Sequence, residues 1–159
     1  MQPIYYCKGW FRAKKCSLEP FTDTTAKSLH ESGELYCALI GDPAAPVCFL
    51  EITKEFVGVG FLDKHLRENL SYSFQEREPG RVFLSMATWR EFDGESNAVA
   101  KGTTYVFQPN GDIVIQEESF QPQHSLAQSS RVMDVSANWD SFPRFGEYSP
   151  LIRVERLPR

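Results

Sequence analysis

Apolar residues recur along this chain in short runs with a period of two, broken by Gly, Pro, Asn and Asp. Leu70, Tyr72 and Phe74 alternate with Ser71, Ser73 and Gln75, which predicts a half-buried strand over Leu70 to Glu76. Ile4 to Phe11, rich in Tyr, Trp and Phe, predicts an opening strand paired with a neighbour from mid-chain and leaving the sheet at Lys14 and Lys15. Glu34 to Ile40 and Val47 to Thr53 predict a hairpin joined through Gly41-Asp42-Pro43. Phe56, Val57, Val59 and Phe61, interleaved with Gly58 and Gly60, predict a strand with a close backbone approach or a bulge, with a simple bend equally open. Arg81 to Phe92 reads as a central strand with Val82, Leu84 and Met86 on one face and Phe83, Ser85, Ala87 and Trp89 on the other. Phe21 to His30 breaks this period; its capping residues and the following Gly33 predict a short helix.

The clearest turn is Pro109-Asn110-Gly111-Asp112, between Tyr105-Val106-Phe107 and Ile113-Val114-Ile115. With Asn110-Gly111 as a two-residue loop, Phe107 faces Val114, Val106 faces Ile115 and Gln108 faces Ile113. Asp93-Gly94 reads as a second turn of this kind, making residues 70 to 119 an antiparallel meander. Arg131 to Val135 and Leu151 to Val154 read as the last strands. The fold class this predicts is mainly β (β-rich α+β), an antiparallel meander sheet of seven to ten strands, curled as far as a half-open barrel, with one short helix. At 159 residues, 1–159 is expected to be a single domain.

Charge narrows the partners. Seventeen Lys and Arg against twenty-one Asp and Glu give a net charge of -4, the wrong sign for nucleic acid or an anionic membrane. The sign is uneven: residues 31 to 63 carry net -5 and residues 102 to 140 net -4, whereas residues 1 to 30 carry net +3. The acidic stretches suit a cation-facing surface, although exposed acids also simply maintain solubility. The start of the chain shows no basic segment followed by a long apolar run, so a cytoplasmic protein is expected. Cys7, Cys16, Cys37 and Cys48 form no CxxC pair and lack His at zinc-ligand spacing, so idle thiols are expected, with no metal and no cofactor.

Catalytic patterns are equally sparse. His30, His65 and His124 lie in separate segments, and no nucleophile elbow, phosphate loop or dinucleotide fingerprint appears. A histidine could still meet Cys16 or Asp134 in space, but a satisfied or surface histidine is the commoner case, and the chain is read as a non-enzyme. Glu117 and Glu118 are adjacent, so in a strand they point to opposite faces. Phe49, Phe56, Phe61, Phe83 and Phe107 could line an apolar site in a lipocalin-like β-barrel binding a small apolar ligand, or fill a core, and the core reading is the stronger.

The segment Asp134-Val135-Ser136-Ala137-Asn138-Trp139-Asp140-Ser141-Phe142-Pro143-Arg144-Phe145-Gly146-Glu147-Tyr148 combines four aromatics with four charges. It is too polar for core and too aromatic for an idle linker, so it reads as a lid, with Trp139 and Phe142 plugging an open sheet, or as a binding surface. With Gly102-Thr103-Thr104-Tyr105-Val106-Phe107-Gln108-Pro109-Asn110-Gly111-Asp112, this segment resembles bacterial polymorphic-toxin immunity proteins of the Rhs, contact-dependent or type VI kinds. The resemblance covers about a fifth of the chain and carries no residue roles by position. It implies a protein that binds the C-terminal domain of a cognate toxin and occludes its active site or an essential surface, itself a monomer or weak homodimer. On that reading the partner-binding residues are Glu117, Glu118, Asp134, Asp140, Trp139 and Tyr148, acids to attract a basic partner and aromatics to anchor it.

Overall fold

Period-two patterning produces a sheet in which strands pair almost entirely with their neighbours in sequence. The computed structural model describes residues 2–157. Strands β1 (Ile4–Phe11) and β2 (Cys16–Phe21) precede the helix α1 (Asp23–Ser32). They are followed by β3 (Tyr36–Asp42), β4 (Ala45–Ile52), β5 (Phe56–Leu62), β6 (Glu68–Glu78), β7 (Arg81–Phe92), β8 (Val99–Phe107), β9 (Asp112–Ser119) and β10 (Ser125–Val132). A short β11 (Trp139–Ser141) lies between the 3-10 turns Ser136–Asn138 and Ser149–Leu151. All pairings are antiparallel, in the order β10-β9-β8-β7-β6-β5-β4-β3-β1-β2, and β11 pairs with β7. The sheet is open: its outer strands, β10 and β2, do not pair with each other.

Alternation sends Ala38, Leu50, Val59 and Tyr72, one from each of four adjacent strands, to a common face, where all are buried. This face holds the main core, covered by Ala26 and Leu29 of α1 and by Trp139, Phe142, Phe145, Leu151 and Ile152 of the C-terminal segment. Full burial of each large apolar side chain contributes about 1.5–3 kcal/mol. The opposite face holds a smaller cluster, Cys7, Trp10, Cys37, Leu39 and Phe49, covered by Leu62 and Leu66. Helix α1 forms where it was expected: the Thr22 hydroxyl accepts from the Thr25 N–H, and Gly33, at φ 76°, ends the helix in the left-handed conformation that glycine adopts without strain.

Several expectations are corrected. Eleven strands form among the described residues. The opening strand pairs with β2 and β3, not with mid-chain, because the turn after Phe11 returns the chain at once into β2, a strand whose Glu19 and Pro20 concealed it. Hairpin β8–β9 pairs Phe107 with Ile113, Val106 with Val114 and Tyr105 with Ile115, one residue from the expected register. Pro109 and Asn110 occupy a four-residue turn closed by Gly111 N–H to Gln108 O, with Gly111 at φ 99°, so the loop has three residues. The Asp93-Gly94 connection is longer still, closed by Asp93 N–H to Ala98 O.

Strand β10 begins earlier than the expected 131 to 135 strand and ends at Val132; all eight of its residues are exposed, so it carries no buried alternation. Leu151 to Val154 is a 3-10 turn and irregular chain, not a strand. In β7 the register steps between Ser73 opposite Met86 and Phe74 opposite Leu84, leaving Ser85 as an extra residue. The bulge turns Met86 out to 42% exposure and Ala87 into the core, undoing the expected grouping of Met86 with Val82 and Leu84. The Ser85 hydroxyl donates to Ser73 O at 3.2 Å.

Candidate functional site

The C-terminal segment folds back onto the start of β7, where its polar groups find backbone partners, and reaches β3 through its side chains. Asn138 Nδ2 donates to Leu84 O at 3.0 Å, and β11 continues past its last pair through Phe142 N–H to Gly80 O at 2.9 Å. Trp139 lies 5.0 Å from Phe83, centroid to centroid, under the Arg81 guanidinium at 4.7 Å. Arg144 to Glu147 makes a tight turn with Gly146 at φ 83°, and Phe145 stacks on Tyr6 at 4.9 Å.

Between this segment and the sheet lies an open cleft of about 770 Å³. Ile4 and Ile40 contribute from the sheet, Phe142, Leu151 and Ile152 from the segment, and Asp140, Arg144 and Glu147 supply charge. Asp140 is not a free anion. Its carboxylate accepts from Arg156 and lies 3.5 Å from Arg153, while Arg156 also donates to the carbonyls of Ala137 and Pro150 and sits over the Phe74 ring.

Tyr148, which also lines the cleft, belongs to a chain of polar groups inside the aromatic core. His30 Nδ1 is 2.8 Å from the Tyr36 hydroxyl, which is 2.9 Å from the Tyr148 hydroxyl, and Tyr6 approaches Tyr148 in turn. Burial raises all three phenols far above their ordinary value and lowers His30 below 6.5. The four groups are therefore uncharged near neutral pH; the His30–Tyr36–Tyr148 hydrogen bonds tie α1 and β3 to the C-terminal segment, with Tyr6 of β1 packed against Tyr36 and Phe145 beside them.

The six residues singled out by sequence do not form one patch. Trp139, Asp140 and Tyr148 sit together, but Trp139 is half-buried, Asp140 is paired and Tyr148 is 2% exposed, a core side chain. Asp134 is exposed after β10, its carboxyl held below its ordinary value by the Ser136 N–H. Glu117 and Glu118 occupy β9 at the other end of the sheet and on opposite faces, as alternation requires. Glu118 pairs with His124 at 2.6 Å at the surface and lines a small hollow of about 180 Å³ with Arg90, Phe120 and Leu126.

Sequence reasoning did not select Arg156, His30 or Tyr36. No motif spacing marks them: Tyr36 meets Tyr148 from 112 positions away, Arg156 meets Asp140 across a loop, and His30 reaches Tyr36 only because α1 folds back onto β3. Of the five candidate phenylalanines, Phe49, Phe61, Phe83 and Phe107 are buried in core, and Phe56 is half-buried. Among the described residues no three His, Cys, Asp or Glu side chains converge as metal ligands, and no helix is long and apolar enough to cross a membrane. Burial pushes the Cys48 thiol up to about 12, whereas Cys16 is exposed on β2. Compared with protein-family models, curated proteins and solved structures, the chain matches none.

Proposed function

We propose that this protein is an immunity protein, binding and neutralising the C-terminal domain of a cognate bacterial toxin. The supporting observation is electrostatic. Glu117 and Asp134 are exposed and form no ion pair among the described residues, in a chain of net charge -4. Such carboxylates steer a basic partner and leave a long-range signature in its association rate. Of the two aromatics singled out by sequence, Trp139, partly buried beneath Arg81, is the one left to serve as an anchor, since Tyr148 is a core side chain.

The test is to co-express this chain with the C-terminal domain encoded in the neighbouring upstream reading frame, then measure growth rescue and complex formation. The paired reversal Glu117→Lys and Asp134→Lys slows association about tenfold at low salt and much less at high salt. Failure to rescue, or an association rate indifferent to both salt and reversal, would reject the reading. The cleft favours a second reading, binding of a small apolar ligand, since its volume of about 770 Å³ falls in the range of small-molecule sites. Under that reading Ile40→Asp abolishes binding of an apolar fluorescent probe, and probe binding unaffected by this change would reject the cleft.

A further inference from the structure

The two outer strands of the sheet are defended very differently. Strand β2 carries Pro20 and follows Lys15 at φ 54°, with Glu19 itself at φ 38°; these features spoil a regular row of donors and acceptors. Strand β10 has none of them. It runs in unbroken register with β9 from Ser125 to Val132, contains no Pro or Lys, and has Arg131 as its single charge. It also carries the two most exposed large apolar side chains of the described residues, Leu126 at 61% and Val132 at 73%.

We propose that β10 is a homodimerisation edge, pairing antiparallel with β10 of a second copy about a two-fold axis through Ser129 and joining two sheets into one. The sequence of the strand selects this register. Directly opposed residues share a face in an antiparallel pair, so the axis must pass through a residue position. An axis at Ser129 sets Leu126 opposite Val132 of the second copy twice over, and Gln128 opposite Ser130. Arg131 then meets Ala127 and never its own copy. An axis at Gln128 or Ser130 would leave Leu126 and Val132 facing polar residues.

The backbone agrees with that choice. Met133 N–H donates inward to Gly111 O, in the same register as the β9 ladder. Odd-numbered residues of β10 therefore spend their N–H and C=O groups on β9, and Leu126, Gln128, Ser130 and Val132 direct theirs outward. Those four are the residues that face one another about Ser129, giving roughly eight hydrogen bonds across the axis. The reading is independent of whether the protein neutralises a toxin.

Sedimentation velocity from about 1 to 200 µM tests it. Chains of 18.2 kDa are expected to convert to a species of twice that mass as concentration rises. Ser130→Pro removes an outward donor and leaves the inward ladder intact, so dimerisation weakens at least about tenfold while circular dichroism stays unchanged. In a Cys16→Ser background, Ser129→Cys gives a disulfide-linked dimer with oxidised glutathione, whereas Gln128→Cys and Ser130→Cys link poorly. A monomer at every concentration, dimerisation indifferent to Ser130→Pro, a cross-linking maximum away from residue 129, or β10 occupied only by a strand of another protein would each overturn the proposal.

Discussion

His30 shows how one partly buried side chain can make stability depend on pH. Its burial lowers the folded-state pKa below 6.5, so the unfolded chain takes up a proton first as the solution is acidified. The stabilising contribution is therefore full above about 6.5 and is lost as pH falls through the lower folded value. The urea midpoint should drop between about pH 8 and pH 5, and His30→Gln should flatten that dependence. An unchanged slope in the variant would mean that other groups set the acid limb. Arg156 is the complementary case, with its side chain 4% exposed and committed to Asp140 and two carbonyls. Arg156→Ala leaves the Asp140 carboxylate with only the more exposed Arg153 at 3.5 Å and removes the two carbonyl contacts, and should cost about 2–3 kcal/mol in denaturant unfolding. Asp140 was picked from the sequence for its charge; what the sequence did not display was the arginine from the tail that consumes that charge.

Strand β5 carries the element whose glycines had an open meaning in the sequence. A Cβ on Gly60 would stand 2.3 Å from Phe49 Cζ, in a ring that is itself 1% exposed, and 2.9 Å from Glu68 Oε1. The close backbone approach anticipated for this strand is therefore real, and it is the Phe49 ring that makes it. Gly60→Ala should destabilise by about 1–3 kcal/mol, and Phe49→Leu in the same chain should recover part of the loss. If the double variant is as unstable as the sum of the singles, the contact is not the cause. Elements were legible wherever one face is buried, as in β6, or wherever a cap is present, as in α1. They were illegible where neither holds: β10 has no buried residue, and β2 offers no apolar alternation. Register was the least legible property, because Pro109 fixes a three-residue loop and Ser85 inserts a bulge that period-two counting passes over.

Across the whole molecule, stability is graded along the sheet. Strands β3 to β5 are buried over much of their length, whereas β10 is exposed throughout. Amide exchange at low protein concentration should be slowest in β4 and β5 and fastest in β10, with a difference of at least about a hundredfold. Equal protection across the sheet would contradict this gradient. The meander could be read from sequence because neighbouring strands pair, and the aromatic 134 to 148 segment reads as a lid that Trp139 and Phe142 do supply; the contacts that dock it could not, because they join residues far apart in the chain, such as Tyr36 and Tyr148. That cover also sets a timetable for synthesis. Each strand after β3 can join its predecessor as it leaves the ribosome, yet the apolar face they build has only α1 over part of it until Trp139, Phe142, Phe145 and Leu151 emerge. A nascent chain stalled after β10 is thus a nearly complete sheet with a sticky side, a substrate for chaperones until its final segment is translated.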